Sequence, residues 1–336
     1  MSHGSNYYFS RPEFNRNDKD SILNWAQWLK GKSLQESFQL LTEDHIKEIL
    51  PELEKLAQNI QKKTVSGNYK GDKGIIGQMV EMIHFGLKRN SRKGADLAEA
   101  GLELKTTGIE LNLKSGQWEA KERLTLTQIN YEQLLDCPSE TDVSLVMKGL
   151  DNALIIVYFY LNAAPFFYQA DEAVTVESML KTKFAGAFLW KANDQILLDA
   201  NRDWRLIKAM CESGYAHMIS ERYSAFLGCA PRGMGSRKPG KEDADFSAQT
   251  VEEAQGQYAL RANCQKLGVS HETADEVYAS ITEREKHPRN PRKGYALPPA
   301  GHHKLEKHGK YPRQKRAFTI PDQSLTRVIL DKLDIS

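Results

Sequence analysis

The run Gly94-Ala-Asp-Leu-Ala-Glu-Ala-Gly-Leu-Glu-Leu-Lys105 constrains this chain more than any other stretch. It places Asp96, then Glu103 seven residues on, then Lys105 two residues later. Residues 102–107 alternate apolar and polar side chains, the pattern of a half-buried strand. Side chains at i and i+2 of a strand share a face. Glu103 and Lys105 are therefore expected to point together, with Leu104 turned into a core. Two carboxylates beside an ammonium suit metal-assisted phosphodiester cleavage. The carboxylates hold Mg²⁺, and the lysine steadies the attacking water or the phosphate charge. The competing reading is a surface strand with a solvated Glu/Lys pair, since short motifs recur by chance.

A second stretch lies upstream, Lys73-Gly-Ile-Ile-Gly-Gln-Met-Val-Glu81-Met-Ile-His-Phe-Gly86. Ile75, Ile76, Met79, Val80, Ile83 and Phe85 make it a mostly apolar helix. Glu81 falls in its middle. A carboxylate there is costly unless it is paired or bound to a metal. The alternative is a Glu on the polar edge of an amphipathic helix.

Together these stretches resemble the MutH-type endonuclease core, a family of mismatch-repair nicking enzymes and restriction endonucleases that cut GATC. The residues that carry the resemblance are Lys73-Gly, Gly77, Glu81 and Gly86, then Ala95-Asp96, then Gly101-Leu-Glu103-Leu-Lys105-Thr. Residues 23–34 resemble the family's first helix and turn. Residues 121–130 and 203–233 are similar to its restriction branch, and Arg313–Thr319 to its closing basic strand. The resemblance implies a sequence-specific, Mg²⁺-dependent endonuclease, with Mn²⁺ able to substitute. It would be a type II restriction enzyme acting on double-stranded DNA at GATC or a related site. Strand nicking, recognition of a modified base and a non-cleaving DNA-binding module are the alternatives.

The residue roles follow. Asp96 and Glu103, with the Leu104 carbonyl, would ligate the metal, Lys105 would orient water, and Glu81 would complete the site. By its place in the family pattern Lys73 would contact DNA. Arg232 and Arg237 follow the Phe226-Leu-Gly segment, where the family places base-contacting loops, and arginine pairs bidentately with guanine. Arg313 and Arg316 are the second candidates. One catalytic set per chain implies that cutting both strands needs a homodimer on DNA or two visits. A restriction enzyme also implies a cognate methyltransferase.

Charge fits a nucleic-acid partner locally rather than globally. The formal net charge is only +2. Between Arg284 and Arg316, however, eleven lysines and arginines face two acids, Glu285 and Glu306. Pro288, Pro291, Pro298, Pro299, Gly294 and Gly301 break this stretch. Such a segment suits phosphate contact, with Arg289, Arg292 and Lys293 among its cations. A solvated linker is the alternative. Four histidines in it lack flanking cysteines, which argues against zinc. Cys137, Cys211, Cys229 and Cys264 are scattered and indicate no disulfide framework. The apolar run 154–161 is too short for a membrane span, no signal-peptide core opens the chain, and a reducing cytoplasm is the expected compartment.

The expected fold is α/β: a restriction-endonuclease-like core with helices flanking a central mixed β-sheet, and a C-terminal DNA-reading subdomain carrying a helical and basic insert. Residues 1–17 are expected as a tail, 18–150 as the catalytic subdomain and 151–232 as the rest of the core and the DNA-binding subdomain. Residues 233–310 are the insert, and 311–336 a closing strand and helix. Helices are expected over 18–65, with Trp25, Trp28 and Leu29 on one face and Ile46, Ile49, Leu50 and Leu53 on another. Strands are expected near 101–113, 122–130, 153–161 and 184–191, with a further short strand at Ile196–Asp199. Helices follow near 202–213 and 218–226. Within the insert, 249–266 and 271–285 read as two helices joined by Leu267-Gly-Val-Ser270, a helical hairpin in preference to a helix-turn-helix.

Overall fold

The computed structural model describes residues 7–65, 73–88, 95–129, 134–135, 137, 152–160, 175–213, 215, 219–231, 256–286 and 316–335. The chain divides into two compact units that interleave along the sequence. The first comprises Met1–Arg123, Gly149–Lys191 and Asp322–Ser336; the second comprises Leu124–Lys148 and Ala192–Pro321. The expected linear boundaries do not follow these units, because strand pairing gathers segments far apart in sequence.

The first unit is built on a four-stranded mixed sheet. Its strands are β1 (Glu103–Asn112), β2 (Gln117–Ala120), β4 (Ala153–Phe159) and β5 (Phe184–Leu189), in the order β2-β1-β4-β5. The central pair, β1 and β4, is parallel, while β2 and β5 flank it antiparallel. Mixed sheets of this kind need cover on both faces. The run Ala153-Leu-Ile-Ile-Val-Tyr158 is accordingly buried along its length.

One face carries helices α1 (Lys19–Gln27), α2 (Leu34–Phe38), α3 (Glu43–Val65) and α4 (Lys73–Met79). Leu104, Leu154, Ile156 and Tyr158 share a core there with Ile22, Trp25, Leu29, Ile76, Met79 and Ile83. Asp18 caps α1 by accepting a hydrogen bond from the Asp20 N–H. Gly77 lets α4 settle on β1, where Thr106 is its nearest neighbour. The closing helix α9 (Asp322–Leu333) packs against β2 and β5, with Thr326 Oγ1 accepting from the Ala120 N–H at 2.7 Å.

Of the residues expected as a tail, 7–17 are described, and several of them join this core. Tyr7, Phe9, Arg11 and Phe14 are buried. Tyr7 bridges Leu87, and the Tyr8 N–H donates to Gly86 O at 2.7 Å. Gly86 is required at this join: its φ is +67°, and a Cβ would lie 2.8 Å from Phe9 O. In α3 the expected apolar face is trimmed, because Ile49 and Leu53 are buried but Leu50 is exposed.

The second unit contains a three-stranded antiparallel sheet. It orders β3 (Leu124–Gln128), β7 (Arg316–Ile320) and β6 (Gly228–Pro231) as β3-β7-β6. The expected strand at Ile196–Asp199 is instead the first turns of helix α6 (Asp194–Glu212). Asn193 caps that helix by accepting from the Ile196 N–H at 2.8 Å, and a three-residue apolar run cannot distinguish strand from helix by period.

The expected helix at 218–226 is reduced to a 3₁₀ turn, Glu221–Tyr223. Beyond it the buried Asp203 carboxylate accepts the Phe226 and Leu227 N–H groups at 2.7 and 2.9 Å, which fixes an extended path into β6. In the insert, α7 (Gly256–Lys266) and α8 (His271–Lys286) pack on each other around Leu260, Leu267, Val269, Ala274, Val277 and Ile281. Ala259, expected in that set, is only half-buried. Arg261 and Asp275 join the pair through two charge-assisted bonds. A short helix α5 (Val176–Leu180) precedes β5 in the first unit. Among the described residues no helix is long and apolar enough to cross a membrane.

Candidate catalytic site

The spacing of Asp96 and Glu103 has a simple structural cause. Leu97 and Leu102 exchange two backbone hydrogen bonds, at 2.9 and 3.1 Å, and close a tight hairpin. Both side chains are buried, so the base of the hairpin is anchored in the core. Gly101, at φ +64°, supplies the left-handed residue that turns the chain. Asp96 and Glu103 are the next residues out on either arm, and the hairpin sets them side by side.

The Asp96 carboxylate then reaches one residue further. Its Oδ2 accepts the Leu104 N–H at 2.9 Å. Glu103 and Lys105 project from one face of β1, as the alternation requires, and Lys105 Nζ donates to Glu103 Oε1 at 2.6 Å. Both remain partly exposed, with side-chain accessibilities of 29% for Glu103 and 23% for Lys105, so solvent and a substrate can reach them.

The backbone edge of β1 adds a further group. The Glu103 N–H serves β4 by donating to Asn152 O, and Ile109 O accepts from Tyr160 on that same side. The N–H and C=O of the alternate residues therefore face the opposite edge, as Gly108 O does in accepting from the Lys121 N–H at 2.8 Å. On that edge β2 pairs only from Ile109 onward. Among the described residues the Leu104 carbonyl thus lies on a stretch of strand without a ladder partner, on the same edge as the N–H held by Asp96.

Electrostatically the site is under-compensated. Burial raises the Asp96 carboxyl above its ordinary value, the Leu104 N–H opposes that shift, the neighbouring Glu103 charge adds to it and Lys105 lowers it. Among the described residues, Asp96 Oδ1 and Glu103 Oε2 accept no hydrogen bond. Two carboxylates, a backbone carbonyl and spare lone pairs on one edge form a hard oxygen donor set of the kind a divalent cation takes.

Glu81 occupies a different setting. It lies in a π-helical turn, Val80–His84, that continues α4. Such turns are frequent at functional sites. Its neighbours Val80 and Met82 are buried, and its carbonyl accepts from the Leu87 N–H at 2.8 Å. Among the described residues no group of three or more His, Cys, Asp or Glu side chains stands close enough to hold a metal ion. Glu81 therefore does not join Asp96 and Glu103 in a three-carboxylate cluster. α4, which leads into the turn of Glu81, meets β1 on the Leu104/Thr106 face, and Glu103 projects from the other.

Of the expected DNA contacts, Lys73 opens α4 and Arg316 opens β7. Arg232, Arg237, Arg289, Arg292, Lys293 and Arg313 lie outside the described residues.

The sequence reading missed the N-terminal stretch that touches the Asp96 hairpin. Tyr7 Oη donates to Glu99 Oε2 at 2.9 Å. The aromatic residues Tyr7, Phe9 and Phe14 were the available signal that this segment is not a tail.

Comparison with known proteins finds one family model and two relatives. Residues 85–197 match the family model of the DNA mismatch repair enzyme MutH. That span includes Asp96, Glu103 and Lys105 and stops short of Glu81. The chain is 30% identical over 167 residues to the type II restriction enzyme Sau3AI of Staphylococcus aureus, covering 50% of this chain and 31% of that protein. It is 28% identical over 169 residues to the DNA mismatch repair protein MutH of Shewanella amazonensis (strain ATCC BAA-1098 / SB2B), covering 50% of this chain and 66% of that protein. The chain thus spans about a third of the first relative's length and about two thirds of the second's. These likenesses are consistent with the MutH-type endonuclease family.

Proposed function

We propose that this chain, MutH-like over its central third, is a metal-dependent DNA endonuclease that hydrolyses phosphodiester bonds. The observation that carries the reading is the hairpin that sets Asp96 beside Glu103 and Lys105 on an edge of β1 without a ladder partner there among the described residues. Asp96 Oδ1, Glu103 Oε2 and the Leu104 carbonyl would hold Mg²⁺, with Mn²⁺ able to replace it. When bound, the ion supplies Lewis acidity and lowers the pKa of its water.

The chain's own residues do the rest. The Leu104 N–H fixes the orientation of Asp96. Lys105, already paired with Glu103, orients the attacking water and offsets charge on the phosphate. The water oxygen attacks phosphorus as a P–O bond of the backbone breaks. Glu81 would complete the site as a ligand of a second ion or through water.

The finer reading is a type II restriction enzyme that recognises GATC or a related site. Lys73, Arg232, Arg237, Arg313 and Arg316 would contact DNA, and the basic stretch around Arg289, Arg292 and Lys293 would grip phosphates. Such contacts are blind to sequence. One site cuts one strand, so a double-strand break would require a second copy of the chain or a second encounter. A methyltransferase would protect the host's own sites.

The test is cleavage of plasmid DNA, with and without methylation at GATC, in Mg²⁺, Mn²⁺, Ca²⁺ or chelator. Cutting is expected in the first two, binding alone in Ca²⁺ and neither activity nor Glu103→Ala turnover in chelator. Glu103→Ala in Mg²⁺ should cut at least about a thousandfold more slowly, because an under-coordinated site loses most metal catalysis, and should still bind DNA. Full activity in chelator, or from Glu103→Ala, sinks the proposal. Equal cutting of plasmid with and without methylated GATC would remove methylation-sensitive GATC recognition while leaving the nuclease.

A further inference from the structure

The hairpin that carries Asp96 is anchored at its base by Leu97 and Leu102, but its tip is held by a residue from the other end of the unit. Glu99, on the tip, accepts the Tyr7 hydroxyl at 2.9 Å across 92 positions of sequence. Tyr7 is itself immobilised independently of the hairpin. Its backbone bridges Leu87, the next residue donates to Gly86 O, and the Arg16 guanidinium lies over its ring at 3.5 Å. Arg16 is held in turn by Phe9 O and Ser10 Oγ.

Gly86 and Leu87 are the residues where the chain leaves the π-turn of Glu81. Tyr7 therefore links the exit of that turn to the tip of the Asp96 hairpin. Its ring is 4% exposed, and burial together with Glu99 keeps the phenol protonated, so it remains a donor at working pH. A buried phenol donating to a carboxylate is a charge-assisted bond, short and directional.

We infer that Tyr7 is a positioning residue for the metal-binding carboxylate Asp96, acting through Glu99 at the tip of the hairpin. The inference rests on the metal-site reading above. Losing the bond leaves the hairpin base in place but frees its tip to tilt. Asp96 Oδ1 then samples positions away from Glu103 Oε2 and the Leu104 carbonyl. Groups that orient metal ligands without touching the metal tune affinity.

The experiment uses the full chain, free of DNA, and Mn²⁺ as the probe, with free Mn²⁺ read by electron paramagnetic resonance. Four variants are compared with the parent: Tyr7→Phe, Glu99→Ala, their double and Asp96→Ala. Thermal midpoints are measured in metal-free buffer. Tyr7→Phe should weaken Mn²⁺ binding about three- to tenfold, less than a direct partner of a ligand would. In the Glu99→Ala background the same substitution should cost nothing further, since one bond cannot be lost twice.

Asp96→Ala separates the two layers of the argument. If it binds Mn²⁺ like the parent, the metal-site reading fails and the inference falls with it. If it loses Mn²⁺ while Tyr7→Phe keeps the parent's affinity, the site stands and the inference is overturned. An equal Tyr7→Phe penalty with and without Glu99 overturns it too. So does a lowered thermal midpoint with unchanged Mn²⁺ affinity, because that result assigns Tyr7 a structural role only.

Discussion

Two polar clusters in the first unit use the same materials in opposite ways. The first surrounds His84 at the end of the π-turn. His84 is fully buried, and its Nδ1 meets Ser37 Oγ at 2.9 Å while Nε2 meets Trp25 O at 3.0 Å. A carbonyl only accepts, so Nε2 carries the hydrogen and Nδ1 accepts from the serine. Trp25 Nε1 donates back to His84 O at 2.9 Å and stacks on the imidazole, with 4.3 Å between ring centroids. Arg11 donates to Ile83 O at 2.6 Å and to Ser37 O at 3.3 Å. These helix-end carbonyls are thereby satisfied, and with Arg11 Nη1 donating to Glu13 Oε1 at 3.2 Å, Arg11 Nε is the one buried polar side-chain atom of the cluster without a partner among the described residues.

The second cluster is Asp96, Glu103 and Lys105. It is half-exposed, holds two like charges together and leaves an oxygen on each carboxylate without a partner among the described residues. The His84 cluster is closed and serves the fold. The Asp96 cluster is open, and its unused lone pairs are what a ligand can claim. Burial of a polar group is thus no guide to function by itself; the state of its hydrogen-bond inventory is.

The sharpest way to break this comparison is to open the closed cluster. Arg11→Ala removes the donor of the buried Ile83 O and a second donor of Ser37 O, and should cost about 2–4 kcal/mol of stability, read as a fall in the urea midpoint. A loss under about 0.5 kcal/mol would show that the cluster is not holding the π-turn.

A smaller effect follows from pH. Burial pushes the His84 imidazole down to about 3, so the folded state keeps it neutral while the unfolded chain takes up a proton near pH 6.5. The depressed value means that stability from this group is fully present above pH 6.5. It is lost on acidification at up to about 1.4 kcal/mol per pH unit until pH approaches 3. Denaturant titrations from pH 7 to pH 5 should show that slope in the parent and lack it in His84→Gln. Parallel slopes in the two proteins would mean that His84 is charged in the fold.

The smallest expected change has the opposite sign. Because the Asp96 carboxyl is raised in the folded chain, its charged form opposes folding, and that cost vanishes as pH falls below the folded value. Asp96→Asn retains an oxygen for the Leu104 N–H and removes the charge. The metal-free midpoint should rise by about 1–2 °C, a stabilisation obtained at the expense of function. Calorimetry in chelator and in Mn²⁺ checks both halves: the variant should gain nothing from the ion, and the parent should. A midpoint that falls in chelator would place Asp96 with the closed cluster instead.

Much of the site was readable before the fold. The alternation at 102–107 placed Glu103 and Lys105 on one face of a strand, and β1 carries them that way. The strands near 153–161 and 184–191, the two helices of the insert and the closing strand also stand close to where periodicity put them. These are features in which local chemistry and packing agree. The misses share a cause. Ile196–Asp199 is too short for its period to decide, so the Asn193 cap decided it. The stretch at 218–226 is drawn straight by Asp203, a residue distant in sequence. Leu50 belongs to an apolar set by spacing but is exposed.

The sequence alone determined which of the candidate groups share a strand face, because a two-residue period is a local property of the backbone. It could not determine which carboxylates meet. The closed pairing of Leu97 with Leu102 brings Asp96 to Glu103, and among the described residues no third His, Cys, Asp or Glu completes a cluster with them. The tertiary structure also decided that Tyr7 meets the hairpin at Glu99. Hydrogen bonds such as Tyr7 to Glu99 span 92 positions and leave no periodic trace. Their strength comes from desolvation, which exists only once the core has formed.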